Sequence, residues 1–224
     1  MANFKSRRYN NEVQVFDVNS WEPVTQIGKM VKERSVTSVE QIFSMGKNIE
    51  EVGIVEALLP GMKSEVIEIK SVQRMTRNNR KQKYRVTSIV GDSNGHVGVG
   101  IAKDVEVKAA IDSSIKNAKM NIMPVIFGCG SWQCTCGKGH SLPFTVQGKC
   151  GSVEVILKPA PRGLGVAASR PVRMMLELAG VKDIWSFSRG RTRTKFNTLM
   201  AVSKALSSTL QMKNLKASNI AEVK

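Results

Sequence analysis

Residues 64–122 constrain this chain most, because strand-like runs, two turns of different chemistry and a long helical pattern follow one another there without interruption. Residues 65–72 are rich in Val and Ile, and 84–90 alternate Tyr84, Val86, Ser88 and Val90 against Arg85, Thr87 and Ile89, a period of two that predicts two strands. The stretch 71–85 carries Arg74, Arg77, Arg80, Lys81, Lys83 and Arg85 and no acid. Asn78 and Asn79 tolerate positive φ at modest cost, so a hairpin presenting those charges to solvent is the economical reading. A second turn, Gly91-Asp-Ser-Asn-Gly95, leads into a third strand over 97–103. Val107, Ile111, Ser114, Ile115, Ala118 and Ile122 then recur at spacings of three and four, which predicts a helix with one apolar stripe. A three-stranded antiparallel sheet covered on one face by a helix is an α+β layer.

The charge balance points to the partner. Thirty-four Lys and Arg against eighteen Asp and Glu give +16 in 224 residues, of the sign that attracts polyphosphate. At 42% hydrophobic residues the chain can still bury a core. No apolar run approaches the roughly 18 residues of a spanning helix, so a membrane is not expected. The first ten residues lack the apolar centre of a signal peptide, and Glu12, Asp17 and Glu22 disfavour a transit peptide, so a cytoplasmic location is expected. Aromatics are only 5%, which favours recognition of backbone and shape over base stacking.

Five segments follow along the chain. Residues 1–49 read as an N-terminal extension with short helices at 24–30 and 39–45, and 50–127 as the first domain, beginning with a helix at 50–59 and closing with a short strand at 124–127. Residues 128–143 are a Cys/Gly-rich insertion, 144–212 a second α/β layer, and 213–224 a basic tail. The second layer reads as strands at 144–146 and 152–158, a helix from Pro171 to Gly180, a strand at 183–188 and a helix at 197–210 with Leu199, Val202, Leu206 and Leu210 on its buried face. Two of its loops are basic. In 159–165, Arg162 supplies charge while Gly163 and Gly165 would let the backbone approach a phosphate or sugar. In 189–195, Arg189, Arg191, Arg193 and Lys195 precede a helix N-terminus, which adds partial positive charge.

The insertion places Cys129, Cys134, Cys136 and His140 within twelve residues, among glycines that let a backbone fold tightly. Those ligand types suit a structural zinc ion, although Cys-x-Cys replaces the more usual Cys-x2-Cys and Cys150 competes with His140 as fourth ligand. The competing reading is a loop of reduced cysteines packed as small hydrophobes with a solvent-exposed His140. Catalysis is disfavoured. Gly95-His-Val-Gly-Val-Gly100 lies inside a strand with no helix starting on its last glycine, and no phosphate loop, nucleophile elbow or His-Glu-x-x-His occurs. No cofactor beyond zinc and no small-molecule substrate is expected.

Two segments carry a family resemblance. Val90-Gly-Asp-Ser-Asn-Gly-His-Val-Gly-Val-Gly-Ile-Ala-Lys103 followed by Val107-Lys-Ala-Ala-Ile111, and Gly151-Ser-Val-Glu-Val-Ile-Leu-Lys-Pro-Ala-Pro-Arg-Gly-Leu-Gly165 with Leu178-Ala-Gly-Val181, resemble the family of the fifth protein of the small ribosomal subunit. Trp21-Glu-Pro23 and Cys129-Gly-Ser-Trp132 are similar to its archaeal and eukaryotic branch, the cysteines especially to archaeal members. The resemblance implies a double-stranded-RNA-binding-like first domain and a βαβ-layer second domain. It further implies a structural place at the neck and mRNA entrance of the small subunit, contacts with rRNA, mRNA and ribosomal proteins four and three, and an influence on translational accuracy. Carried over by position, the loop of Arg74, Arg77, Asn78, Asn79, Arg80 and Lys81 would touch rRNA; bacterial members have glycines at the two Asn positions. The other readings are a free-standing double-stranded-RNA-binding regulator and a metal-dependent RNA-modifying enzyme.

Overall fold

A computed structural model describes residues 21–211. The extension over 1–20 and the basic tail over 213–224 lie outside the described residues. The elements run α1 (Gln26–Lys32), α2 (Val39–Ser44), α3 (Val52–Leu58), β1 (Lys63–Met75), β2 (Arg80–Gly91), β3 (His96–Asp104), α4 (Val107–Met120), β4 (Ile122–Pro124), β5 (Val146–Cys150), β6 (Val153–Pro159), β7 (Val166–Ala167), α5 (Arg170–Ala179), β8 (Ile184–Arg189) and α6 (Lys195–Ser208). The fold is α+β, with two four-stranded sheets in the orders β1-β2-β3-β4 and β5-β6-β8-β7. The described residues divide into two compact units, 21–90 with 100–121 and 91–99 with 122–211.

In the first unit α4 lays its apolar stripe on the sheet. Val86, Val90, Ala110, Ile111, Ile115 and Ala118 form one buried cluster, with Met62, Val66, Tyr84 and Val107 packed at its margin. The short closing strand expected at 124–127 lies instead at 122–124, where it joins the three predicted strands as the fourth of the sheet. The helix stops at Met120, and Ile122, expected on its stripe, instead begins β4, which pairs antiparallel with β3 through His96↔Pro124, Val97↔Met123 and Gly98↔Ile122. Ile122 is buried there, as an apolar residue at the end of an amphipathic pattern would be in either element.

The hairpin tip also differs from expectation. Asn78 and Asn79 keep negative φ; among the described non-glycine residues only Arg34 and Ser93 have positive φ. Side chains close the turn in place of left-handed backbone. The Thr76 N–H donates to the Asn79 carbonyl (2.9 Å), the Thr76 hydroxyl donates to the same oxygen, and the Asn79 carboxamide oxygen accepts from the Arg80 N–H (2.7 Å). Thr and Asn commonly bond local backbone in this way.

In the second unit α6 lies across β5 and β6, with α5 beside it. β5 pairs antiparallel with β6, β6 antiparallel with β8, and β7 parallel with β8, so β7-α5-β8 is a βαβ crossover. Leu157, Met175, Leu176, Ile184, Leu199 and Leu206 are fully buried in this layer. β5 begins at Val146 and not at Phe144, and it contains Gly148, where a Cβ would sit 2.0 Å from the Ala201 carbonyl oxygen of α6. Only glycine lets the helix approach so closely. The turn 91–95 belongs to this unit because Ser93 and Gly95 donate N–H bonds to Leu178 and Ala179 carbonyls at the C-terminus of α5 (2.8 and 3.0 Å). These carbonyls are among the last four of a helix, which lack partners within it.

Candidate nucleic-acid interface and thiol-imidazole cluster

The hairpin of β1 and β2 holds its cations outward. Arg74, Arg77, Asn78, Asn79, Arg80 and Lys81 are exposed, and Lys83 and Arg85 half-buried. Val72, Gln73, Arg74, Lys81, Lys83 and Lys103 line an open groove on this hairpin. Lys103 of β3 is the residue that sequence reasoning missed. Nothing one-dimensional marks it, because its place beside Lys81 and Lys83 follows from the strand order β1-β2-β3. Four cations around one groove make a surface whose potential favours a polyanion.

The second set of predicted contacts lies in the other compact unit. Arg189 ends β8, Lys195 begins α6, and Arg191 and Arg193 are exposed between them. The turn is held by Thr192 N–H on the Gly190 carbonyl and Thr194 N–H on that of Arg191 (2.9 and 3.2 Å). Arg162 is exposed in its loop. The glycines beside it do something other than expected: the N–H groups of Gly163 and Gly165 both donate to Asp183 Oδ1 (3.0 and 2.8 Å). Their φ values of +91° and +76° turn these donors inward to the carboxylate, so the backbone donors are not directed at a phosphate.

Cys129, Cys134, Cys136 and His140 come together. Their ligand atoms all lie within 4.8 Å of one another. Cys136 Sγ is 3.5 Å from Cys129 Sγ, and Cys134 Sγ is 3.6 Å from His140 Nε2. A tetrahedral zinc with bonds of ~2.3 Å to sulfur needs ligand separations of about 3.8 Å, so the spacing fits. Cys150 ends β5 opposite Val153 and stays outside the group. His140 is buried, at 7% exposure, which overturns the reading of an exposed histidine. Its Nδ1 bonds Asp183 Oδ2 (2.9 Å), leaving Nε2 toward the sulfurs. A carboxylate on the far nitrogen of a metal-ligating histidine is the usual supporting partner.

The backbone brings the two ends of the segment together. Gly128 and Ser141 exchange N–H bonds (2.9 and 3.0 Å), and Gly130 donates to the Leu142 carbonyl (3.1 Å). A Cβ at Gly130 would lie 2.1 Å from the Pro143 oxygen. The Cys136 thiol and the backbone N–H groups of Arg162 and Cys136 draw Cys134 down to about 6, whereas the Cys136 hydrogen bond and burial push Cys129 up to about 11. A bound dication would favour the ionised form of thiols held this close together.

A basic α+β chain whose hairpin end, free of acid over 71–85, and charged turns stand out from two packed layers belongs to the class of proteins built to meet a polyanion. Family comparison makes the class specific. Residues 62–126 match the ribosomal protein S5 N-terminal domain and residues 148–219 the ribosomal protein S5 C-terminal domain. The chain is 46% identical over 198 residues to the small ribosomal subunit protein uS5 of Metallosphaera sedula, covering 88% of this chain and 92% of that protein. It is 48% identical over 193 residues to the protein of that name from Aeropyrum pernix (86% and 88%), and 47% identical over 195 residues to that of Methanococcus maripaludis strain S2 (87% and 87%). The chain belongs to the ribosomal protein S5 family, a family of ribosomal structural proteins. No helix among the described residues is long and apolar enough to cross a membrane.

Proposed function

We propose that the chain is a structural constituent of the small ribosomal subunit that binds its rRNA and acts by holding RNA surfaces in place, without turnover. The cationic hairpin carries this reading: Arg74, Arg77, Arg80 and Lys81 are exposed with no acid between 71 and 85, and Lys103 adds to them. Such side chains neutralise phosphates and fix register, while carrying little sequence information. Arg162, Arg189, Arg191, Arg193 and Lys195 form the second contact. The finer reading is a cytoplasmic position in the ribosome at the neck and mRNA entrance, beside ribosomal proteins four and three, with an effect on decoding accuracy. On this reading 50–127 and 144–212 act as separate RNA-facing domains, with 1–49 and 213–224 as extensions. Sedimentation tests the assignment: the tagged full chain should travel with small subunits through high salt, and a chain left at the top of the gradient would refute it.

Zinc is the ion we assign to the Cys129, Cys134, Cys136 and His140 group. When bound it would cross-link a segment that has little apolar core of its own. The purified chain should hold zinc in equimolar amount by metal analysis; Cys134→Ser should lose it and Cys150→Ser keep it. Loss in Cys150→Ser, or retention in Cys134→Ser, contradicts the ligand set.

A further inference from the structure

Asp183 joins two features that the sequence keeps apart. Its carboxylate is 4% exposed and serves three donors: His140 Nδ1 on Oδ2, and the N–H groups of Gly163 and Gly165 on Oδ1. The connection is doubled. The His140 carbonyl also accepts from the N–H groups of Lys182 and Asp183 (3.1 and 3.2 Å). Two backbone donors of one short basic loop therefore end on the carboxylate that orients the cluster's imidazole.

We propose that Asp183 is a positioning residue that makes the conformation of the Arg162 loop depend on occupancy of the thiol-imidazole cluster. The inference rests on the zinc reading above and adds to it a consequence for the RNA-facing surface. With an ion on Nε2, the imidazole proton must reside on Nδ1, which is where Asp183 Oδ2 accepts it. The same carboxylate then presents Oδ1 to Gly163 and Gly165, and their left-handed backbone sets the direction in which Arg162 leaves the surface. With no ion, the His140 imidazole keeps only its bond to Asp183 as an anchor. The carboxylate's hold on the loop slackens with it.

The test uses the full chain, zinc-loaded and after removal of zinc by a chelator, with amide hydrogen exchange read residue by residue. Chelation should speed exchange at Gly163 and Gly165 at least tenfold while leaving Ala201 and Ala205 of α6 unchanged. Asp183→Asn tests the direction of the link: the amide keeps an oxygen for the glycines but sets a donor against Nδ1, forcing the imidazole proton onto Nε2. Zinc affinity, measured by competition with a chromophoric chelator, should fall about 10- to 100-fold. Should Asp183→Asn fail to fold, exchange in the parent chain decides alone. A chain that binds zinc while Gly163 and Gly165 stay equally protected after chelation overturns the coupling and leaves the zinc site standing. A chain that binds no zinc overturns both.

Discussion

Asp92 organises the turn between β2 and β3. Its Oδ1 accepts the N–H groups of Asn94 and His96 (2.8 and 3.1 Å), and its Oδ2 meets His96 Nδ1 (2.9 Å). Burial alone would raise its pKa, but the His96 and Asn94 hydrogen bonds hold it below the ordinary 3.8. A depressed folded value contributes stability that is present above the unfolded value and lost as pH falls through the folded one. Asp92→Asn should therefore flatten the acid limb of thermal stability below the ordinary carboxylate value, measured by melting temperature against pH; an unchanged limb would contradict this. The turn itself is legible, since Gly-Asp-Ser-Asn-Gly can do little else. Asp183 is not, because it lies 43 residues from His140 and nothing in a linear pattern joins them. Cys129, Cys134, Cys136 and His140, by contrast, are close in sequence and of residue types that mark them, although only the fold sets His140 and not Cys150 beside the three thiols.

At the scale of elements, periodicity finds what packs on one face and misses what packs through the backbone. α4 and α6 are legible from their stripes, and β6 from its alternation of Val153, Val155 and Leu157. β5 is placed too early, at 144–146 instead of Val146–Cys150, because Gly148, which faces α6, has no side chain to register in a pattern. β7 has two residues, shorter than any period. Gly148→Ala should destabilise the chain by about 1–3 kcal/mol through overpacking against Ala201. Gly61→Ala, with nothing within 4 Å of the added Cβ, should leave stability within about 0.5 kcal/mol. Leu206→Ala should cost about 2–5 kcal/mol, since its side chain is fully buried. Chemical denaturation of the three variants checks all of these, and equal midpoints would show that α6 does not depend on this contact.

Over the whole molecule the governing quantity is charge held by two packed layers. The excess of cations is plain in the composition, and the hairpin and the 189–195 turn are plain as runs, so most of the surface was legible before any fold. The share of Lys103 was not, because it depends on which strand lies beside β2. Six to eight phosphates neutralised would give a slope of log affinity on log salt of roughly −4 to −7. The direct measurement is the affinity of the full chain for small-subunit rRNA across a salt series, alongside Arg77→Glu/Arg80→Glu and Arg191→Glu/Arg193→Glu. Each pair should weaken binding and make the slope shallower by about 2. A parent slope near zero, or either pair binding like the parent at every salt concentration, would contradict the claim that both sets of cations meet RNA.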